Sequence, residues 1–290
     1  MFKCNGKQDG VIFDRSLGGS IFVCNRSKHV YKFFGTEMVC ICGEGESKMK
    51  LSVVVPCYNE EKNIPVVLKR FQKVIGQKDI EVVLVDNGST DHTSEILRRL
   101  LPDYPFARTI RVDVNQGYGY GILQGLKVCR GEFIGWTHAD LQTDPADLLK
   151  ALAIIERNGY RKNIFIKGNR KGRPLTDQFF TYGMSLFETW YMGEKLNDVN
   201  AQPNVFSRNF FKSWENPPKD FALDLYALYM ARKKKLEIHR FPVRFPKRKY
   251  GVSHWNTGMR SKWKFIRRTL EFSRKLKRGG IESCNISVIE

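Results

Sequence analysis

Four times between residues 51 and 158, a short strand-like run is followed by a segment with helical spacing. The runs at residues 51–55 and 80–85 have the near-continuous apolar character of parallel strands buried on both faces, and residues 109–114 and 132–137 complete the set. Helical patterns follow, to residue 75, to residue 101, over 117–129 and over 145–158. The last one opens on Asp144 and Pro145, an N-cap and a proline at the first helical position. This alternation predicts a doubly wound, mostly parallel α/β sheet, Rossmann-like and flanked by helices, because parallel strands need a crossover and a helix supplies it. Ligands of such sheets bind beyond the carboxyl ends of the strands. The polar clusters at residues 56–61, 86–91 and 138–144 all fall at those ends, which predicts a site there.

The flanks read differently. Residues 1–50 alternate short β-like runs (11–13, 21–24, 29–34, 38–42) with Gly-rich turns, and residues 43–50 resemble a linker. A small β-rich or poorly ordered N-terminal extension is expected. Beyond residue 158 the pattern predicts a strand at 164–167, a helix over 176–192, extended chain at 199–206, a helix over 223–232, a strand at 236–241 and a helix over 257–276. The expected organisation is therefore an extension (1–50), a main domain (51–255, with its halves meeting near residue 150) and a C-terminal helix and tail (256–290).

Charge separates the halves. The chain has a net charge of +19, and residues 151–290 hold 29 Lys or Arg against 12 Asp or Glu. Such a surplus points to a polyanion: phosphate groups, an anionic membrane or nucleic acid. A nucleic-acid-binding protein is the alternative of another class, but acidic motifs at the strand ends would repel a phosphate backbone, so no nucleic acid is expected. Residues 260–278 carry nine Lys or Arg against Glu271 alone, with Trp263, Phe265, Ile266, Leu270, Phe272 and Leu276 interleaved. That composition predicts an amphipathic helix lying on an anionic membrane surface. No stretch approaches the roughly 20 apolar residues of a spanning helix, and the polar first residues do not resemble a signal peptide. A cytoplasmic protein, peripheral on the inner face of a membrane, is expected. The seven cysteines are odd in number and irregularly spaced, unlike a disulfide framework, and Cys40 and Cys42 lie closer than zinc ligands usually do.

Three motifs carry chemistry. Asp86-Asn87-Gly88-Ser89-Thr90-Asp91 follows a strand, and its first carboxylate suits a nucleobase or ribose hydroxyl, or an Asx turn that caps the next helix. Asn115-Gln116-Gly117-Tyr118-Gly119-Tyr120-Gly121 opens a helix, with glycines that admit either a diphosphate or close helix–sheet packing. In His138-Ala139-Asp140-Leu141-Gln142, extended geometry would send His138, Asp140 and Gln142 to one side. Imidazole, carboxylate and amide oxygen together suit a divalent metal on a diphosphate, and a helix-capping turn is the competing reading.

Taken in order, Pro56-Cys57-Tyr58-Asn59-Glu60-Glu61, the Asp86 motif, Asn115-Gln116-Gly117 and His138-Ala139-Asp140-Leu141-Gln142-Thr143-Asp144-Pro145 resemble family 2 glycosyltransferases with a GT-A fold, closest to the dolichyl- or polyprenyl-phosphate sugar transferases. The resemblance spans residues 50–255 and leaves out the first 50. It implies an inverting, metal-dependent glycosyltransferase that takes a sugar from a nucleotide-diphosphate donor. Pro56, Tyr58 and Glu60 would line the base pocket, with Asp86, Asn115, Gly117 and His138 also on the donor. Asp140 and Gln142, with His138 where the family carries an acid, would hold Mn²⁺ or Mg²⁺. Arg170 and Arg248 would bind phosphate, with Ser253 and Gln202 on the acceptor side. Where the lipid-phosphate members carry an Arg, this chain has Asp177. The preferred acceptor is a polyprenyl phosphate, already ionised. The alternative is a sugar hydroxyl in cell-surface polysaccharide or glycolipid synthesis, which needs a base, and Asp224 or Asp220 stands where hydroxyl-acceptor relatives place one.

Overall fold

The computed structural model describes residues 21–24, 29–34, 37–40, 49–76, 78–140, 142–172, 175–244, 246 and 259–277. The chain divides into two units, residues 1–48 and 49–290. In the first, β1 (Ile21–Cys24), β2 (His29–Phe34) and β3 (Glu37–Cys40) form an antiparallel three-stranded sheet in sequence order. The strand expected at 11–13 lies outside the described residues.

The second unit holds a seven-stranded sheet. Its strands are β4 (Leu51–Cys57), β5 (Ile80–Asn87), β6 (Ala107–Val112), β7 (Phe133–Trp136), β8 (Ile164–Lys171), β9 (Asn204–Ser207) and β10 (Glu237–Arg244), in the order β10-β8-β9-β7-β4-β5-β6. The helices are α1 (Ile64–Ile75), α2 (Thr93–Leu100), α3 (Tyr118–Val128), α4 (Ala146–Arg157), α5 (Leu175–Met192), α6 (Arg208–Lys212), α7 (Leu223–Lys233) and α8 (Met259–Lys277). The expected α/β class is thus observed, with a mostly parallel sheet flanked by helices.

The apolar runs end up where their composition requires. All eight residues of β5 are buried, and β4, between β5 and β7, has six of seven buried. On α1 the buried positions are Ile64, Val67, Leu68, Phe71 and Ile75, one helical stripe. One apolar cluster joins this stripe to Leu148, Ala151, Leu152 and Ile155 of α4. The other, across the sheet, joins Ile122 and Leu126 of α3 to Leu223, Leu225 and Leu228 of α7. Two clusters on two faces are what a doubly wound sheet buries, and each large side chain contributes about 1.5–3 kcal/mol.

The extended chain at 199–206 has a consequence the sequence pattern did not carry. Within it β9 runs antiparallel between β7 and β8. Glycines make room for it: a Cβ on Gly135 would lie 2.0 Å from the Asn204 carbonyl oxygen, and one on Gly168 would lie 2.0 Å from that of Gln202. Because β9 is reversed, its amino end lies on the same sheet edge as the carboxyl ends of its neighbours. Residues 198–204 thereby join the loops after β4, β5, β7 and β8.

Candidate active site

The loops after β4 and β5 are laced together. Asn59 takes the left-handed conformation (φ 55°), its amide donates to Ser89 Oγ (3.1 Å), and its Oδ1 accepts from the Thr90 amide (2.9 Å). The Glu60 amide donates to Thr93 Oγ1 (2.8 Å), and the Glu61 amide to Asp91 Oδ2 (3.2 Å). Pro56 stands opposite Val85 in the β4–β5 register, and Tyr58 remains 45% exposed at the loop tip. The Glu60 carboxylate accepts from Asn63 Nδ2.

Asp86, expected on the nucleoside, is buried and engaged by its own chain. Its Oδ1 accepts from the Ser89 amide (3.0 Å), and its Oδ2 from Arg111 (2.8 Å) and Ser94. In this structure the carboxylate shapes its own loop and ties it to Arg111 and Ser94; it does not cap α2, whose N-cap is His92.

The Gly-rich turn before α3 is closely packed. Asn115 Oδ1 accepts from the Gly117 amide (2.9 Å) and from Asn87 Nδ2 (3.2 Å). A Cβ on Gly117 would lie 2.6 Å from the Lys219 carbonyl oxygen, and one on Gly119 would lie 2.6 Å from that of Asp220. These glycines admit the loop at 218–220, which carries Asp220 and leads into α7. Asp220 Oδ1 accepts from the Ala222 amide (3.0 Å), a capping contact.

After β7 the chain bends at residues 139–140, so the extended alternation expected for His138, Asp140 and Gln142 does not persist. The His138 ring stacks on Tyr118 (centroids 5.9 Å apart). Asp140 is buried, and its Oδ1 accepts from the Gln142 amide (3.1 Å). The Gln142 side chain donates to the Pro246 carbonyl (2.8 Å). Among the described residues no three His, Cys, Asp or Glu side chains converge to hold a metal ion. The Asp140 carboxylate is a hard oxygen donor of the kind divalent Mn²⁺ or Mg²⁺ takes, and a diphosphate brings further oxygens of that kind.

Arg170 and Asp198 form a near-buried pair. Arg170 Nε donates to Asp198 Oδ1 (2.8 Å), and the Arg170 amide to Oδ2 (2.8 Å), with the guanidinium closing on the same carboxylate. Burial alone would raise the Asp198 pKa, but the hydrogen bonds and charge of Arg170 outweigh it and the pKa is lowered. Arg170, expected on phosphate, is paired with Asp198 in this structure. Arg248 and Ser253 lie outside the described residues, as does the Asp177 side chain.

The densest chemistry lies under β9. Gln202, Asn204, Asp224 and Lys167 are all at most 3% exposed. Asp224 Oδ1 accepts from Gln202 Nε2 and Asn204 Nδ2, both at 2.8 Å. Gln202 Nε2 also reaches Tyr118 Oη (3.4 Å), and Tyr118 stacks on Phe221 (4.7 Å). Lys167 Nζ donates to the Ala201 carbonyl (2.8 Å) and to Asn204 Oδ1 (2.5 Å). Burial raises the Asp224 carboxyl, against Lys167 and His138, which lower it. Burial likewise drives Lys167 down to about 7, against the pull of Asp224. Gln202, expected on the acceptor side, donates to Asp224 in this structure. Sequence reading missed Lys167, Asn204 and Tyr118. The available signal was a lysine following the apolar Ile164-Phe165-Ile166 and preceding Gly168, a charge where a buried strand has no room for an unpaired one.

The profile of Glycosyl transferase family 2 matches residues 52–212, over half of the chain. The chain belongs to this family. It is 34% identical over 131 residues to the undecaprenyl-phosphate 4-deoxy-4-formamido-L-arabinose transferase of Pseudomonas fluorescens, covering 43% of this chain and 37% of that protein. It is also 34% identical over 175 residues to the enzyme of that name from Photorhabdus laumondii, covering 58% and 52%. The chain thus spans about half or less of the length of these relatives. Among solved structures it resembles glucosyl-3-phosphoglycerate synthase from Mycobacterium tuberculosis, at a TM-score of 0.59 and 16% identity over 82% of this chain and 83% of that one. The likeness to that synthase is one of fold, and the GT-A architecture expected from the sequence is the one observed.

Proposed function

We propose that this family 2 protein transfers a sugar, with inversion, from a nucleotide-diphosphate donor to a polyprenyl phosphate at the inner face of a membrane. The observation that carries this reading is the 34% identity to undecaprenyl-phosphate sugar transferases. Tyr58, on its exposed loop, would face the base, and the laced loops after β4 and β5 would keep that pocket rigid. The Asp140 carboxylate, beside His138 and Gln142, would hold Mn²⁺ or Mg²⁺, which when bound supplies positive charge to the leaving diphosphate.

Attachment would use two helices. On α5, Tyr182, Leu186 and Trp190 are 69%, 60% and 76% exposed along one face. This helix meets α8 through the Ser273–Glu188 hydrogen bond (2.7 Å), and α8 exposes Arg267, Arg274, Lys275 and Lys277. Apolar side chains beside exposed cations suit an anionic leaflet. No helix among the described residues is long and apolar enough to cross a membrane.

A second reading, transfer to a sugar hydroxyl, is favoured by Asp224. Its carboxyl is buried between two amide donors and shifted upward, as suits a general base, and Arg170 is committed to Asp198. Incubation of the full chain with candidate nucleotide sugars, Mn²⁺ or Mg²⁺ and undecaprenyl phosphate tests the first reading. It expects an acid-labile lipid-phospho-sugar. A base-stable glycosidic bond on a saccharide, and no lipid product, would replace it with the second.

A further inference from the structure

Behind Asp224 lies a charge the reaction has no direct use for. Lys167 is fully buried on β8, the strand paired with β9 on one side and β10 on the other. Its ammonium donates to the Ala201 carbonyl and to Asn204 Oδ1. Asn204 turns its other amide atom, Nδ2, to Asp224 Oδ1 and to Gln202 Oε1 (2.9 Å), and Gln202 Nε2 returns to Asp224. A single asparagine therefore bridges a buried cation to a buried anion, and the bridge fixes which way its own amide points. A lysine stripped of water costs several kcal/mol unless an anion answers it.

We infer that Lys167 is a positioning residue: through Asn204 it keeps the Asp224 carboxylate ionised and aimed at the acceptor side. The inference rests on the second reading, transfer to a sugar hydroxyl, in which Asp224 serves as base. The charged groups facing Lys167 are Asp224, Asp198, Arg240 and Arg170. Those facing Asp224 are Lys167 and His138, with the Tyr118 hydroxyl close by. Lys167 reaches Asp224 through a chain of two hydrogen bonds by way of Asn204. Asp198 is answered by Arg170, and Arg240 donates to the Gly168 and Asn197 carbonyls. Removing Lys167 would leave Asp224 buried without its cation, and a buried carboxylate then takes a proton more readily.

Lys167→Met and Asp224→Asn in the full chain separate the two layers. Lys167→Met is expected to lose about tenfold or more in kcat at neutral pH. Its donor KM should stay within about twofold, and the acid limb of its kcat profile should move up by about one pH unit or more. An acid limb that stays in place in folded Lys167→Met overturns the inference while leaving Asp224 as base. Asp224→Asn that still turns over fully removes the underlying reading, and the inference with it. Should Lys167→Met not fold, the infrared difference spectrum of wild type minus Asp224→Asn decides. A carboxylate band at neutral pH supports the role of Lys167, and a protonated-acid carbonyl band refutes it.

Discussion

Gln202 and Asp224 meet through a hydrogen bond of 2.8 Å, both buried, although 22 residues separate them and one precedes β9 while the other begins α7. This contact joins the reversed strand to the helix on one face of the sheet. It gives Gln202 a role in holding a carboxylate.

Gln202→Leu removes one of the two amides on Asp224 Oδ1. A hydrogen bond to a charged group contributes about 1.5–3 kcal/mol, so turnover should fall roughly 10- to 100-fold if Asp224 is the base. Steady-state rates on a hydroxyl acceptor, compared with a lipid phosphate, check this, and only the hydroxyl reaction should suffer.

Asp198→Asn leaves Arg170 near-buried with its countercharge gone. Breaking such a pair costs about 3–5 kcal/mol, which denaturant unfolding would read directly. The native pKa of Asp198 is lowered, so its stabilisation is complete above the unfolded value near 4 and is lost as pH falls through the lower native value. The wild type should lose stability in that acid window, and the difference from Asp198→Asn should narrow there.

Lys167 has the opposite charge and its own window. Its native pKa of about 7 lies below the unfolded lysine value near 10.4. Between these the unfolded chain binds the extra proton, so this residue makes stability rise with pH from about 7 to about 10. Thermal melts of wild type and Lys167→Met across that range should diverge, with the slope present only in the wild type.

Gly119→Ala places a methyl 2.6 Å from the Asp220 carbonyl oxygen and 2.8 Å from that of Pro218. The loop into α7 must retreat, at a cost of about 1–3 kcal/mol. Stability by denaturant titration should fall by that amount, and turnover should fall with it because the same loop sets the start of the helix bearing Asp224.

Trp190→Ala with Tyr182→Ala removes exposed aromatic surface from α5 while sparing the core. Co-sedimentation with anionic vesicles should weaken severalfold, and the remaining binding should vanish with salt because it rests on the cations of α8. Binding unchanged by both treatments would remove α5 and α8 from the membrane contact.

Much of residues 51–158 was legible because its signals are local. Residues 51–55 and 80–85 are apolar enough that only a doubly buried strand accommodates them, and the motifs after them fall at loops by simple counting. The helix over 223–232 and the strand at 236–241 were also legible. The third strand was displaced: residues 107–112 pair with β5 where 109–114 were expected, because register depends on the partner strand. The five-residue α6 went unseen, being too short for a helical stripe.

The site divides along the same line. The sequence by itself determined the α/β class through its periodicity, and its ordered motifs carried the resemblance to the family, since both lie within short segments. The tertiary structure alone decided that β9 runs backwards, that Asp86 pairs with Arg111 and Arg170 with Asp198, and that Lys167, Asn204, Gln202 and Asp224 share one buried network. Those partners lie about 20 to 60 residues apart in the chain. A buried charge takes its partner from whatever the fold brings within reach, and that proximity is set by strand order and direction, which no local pattern encodes.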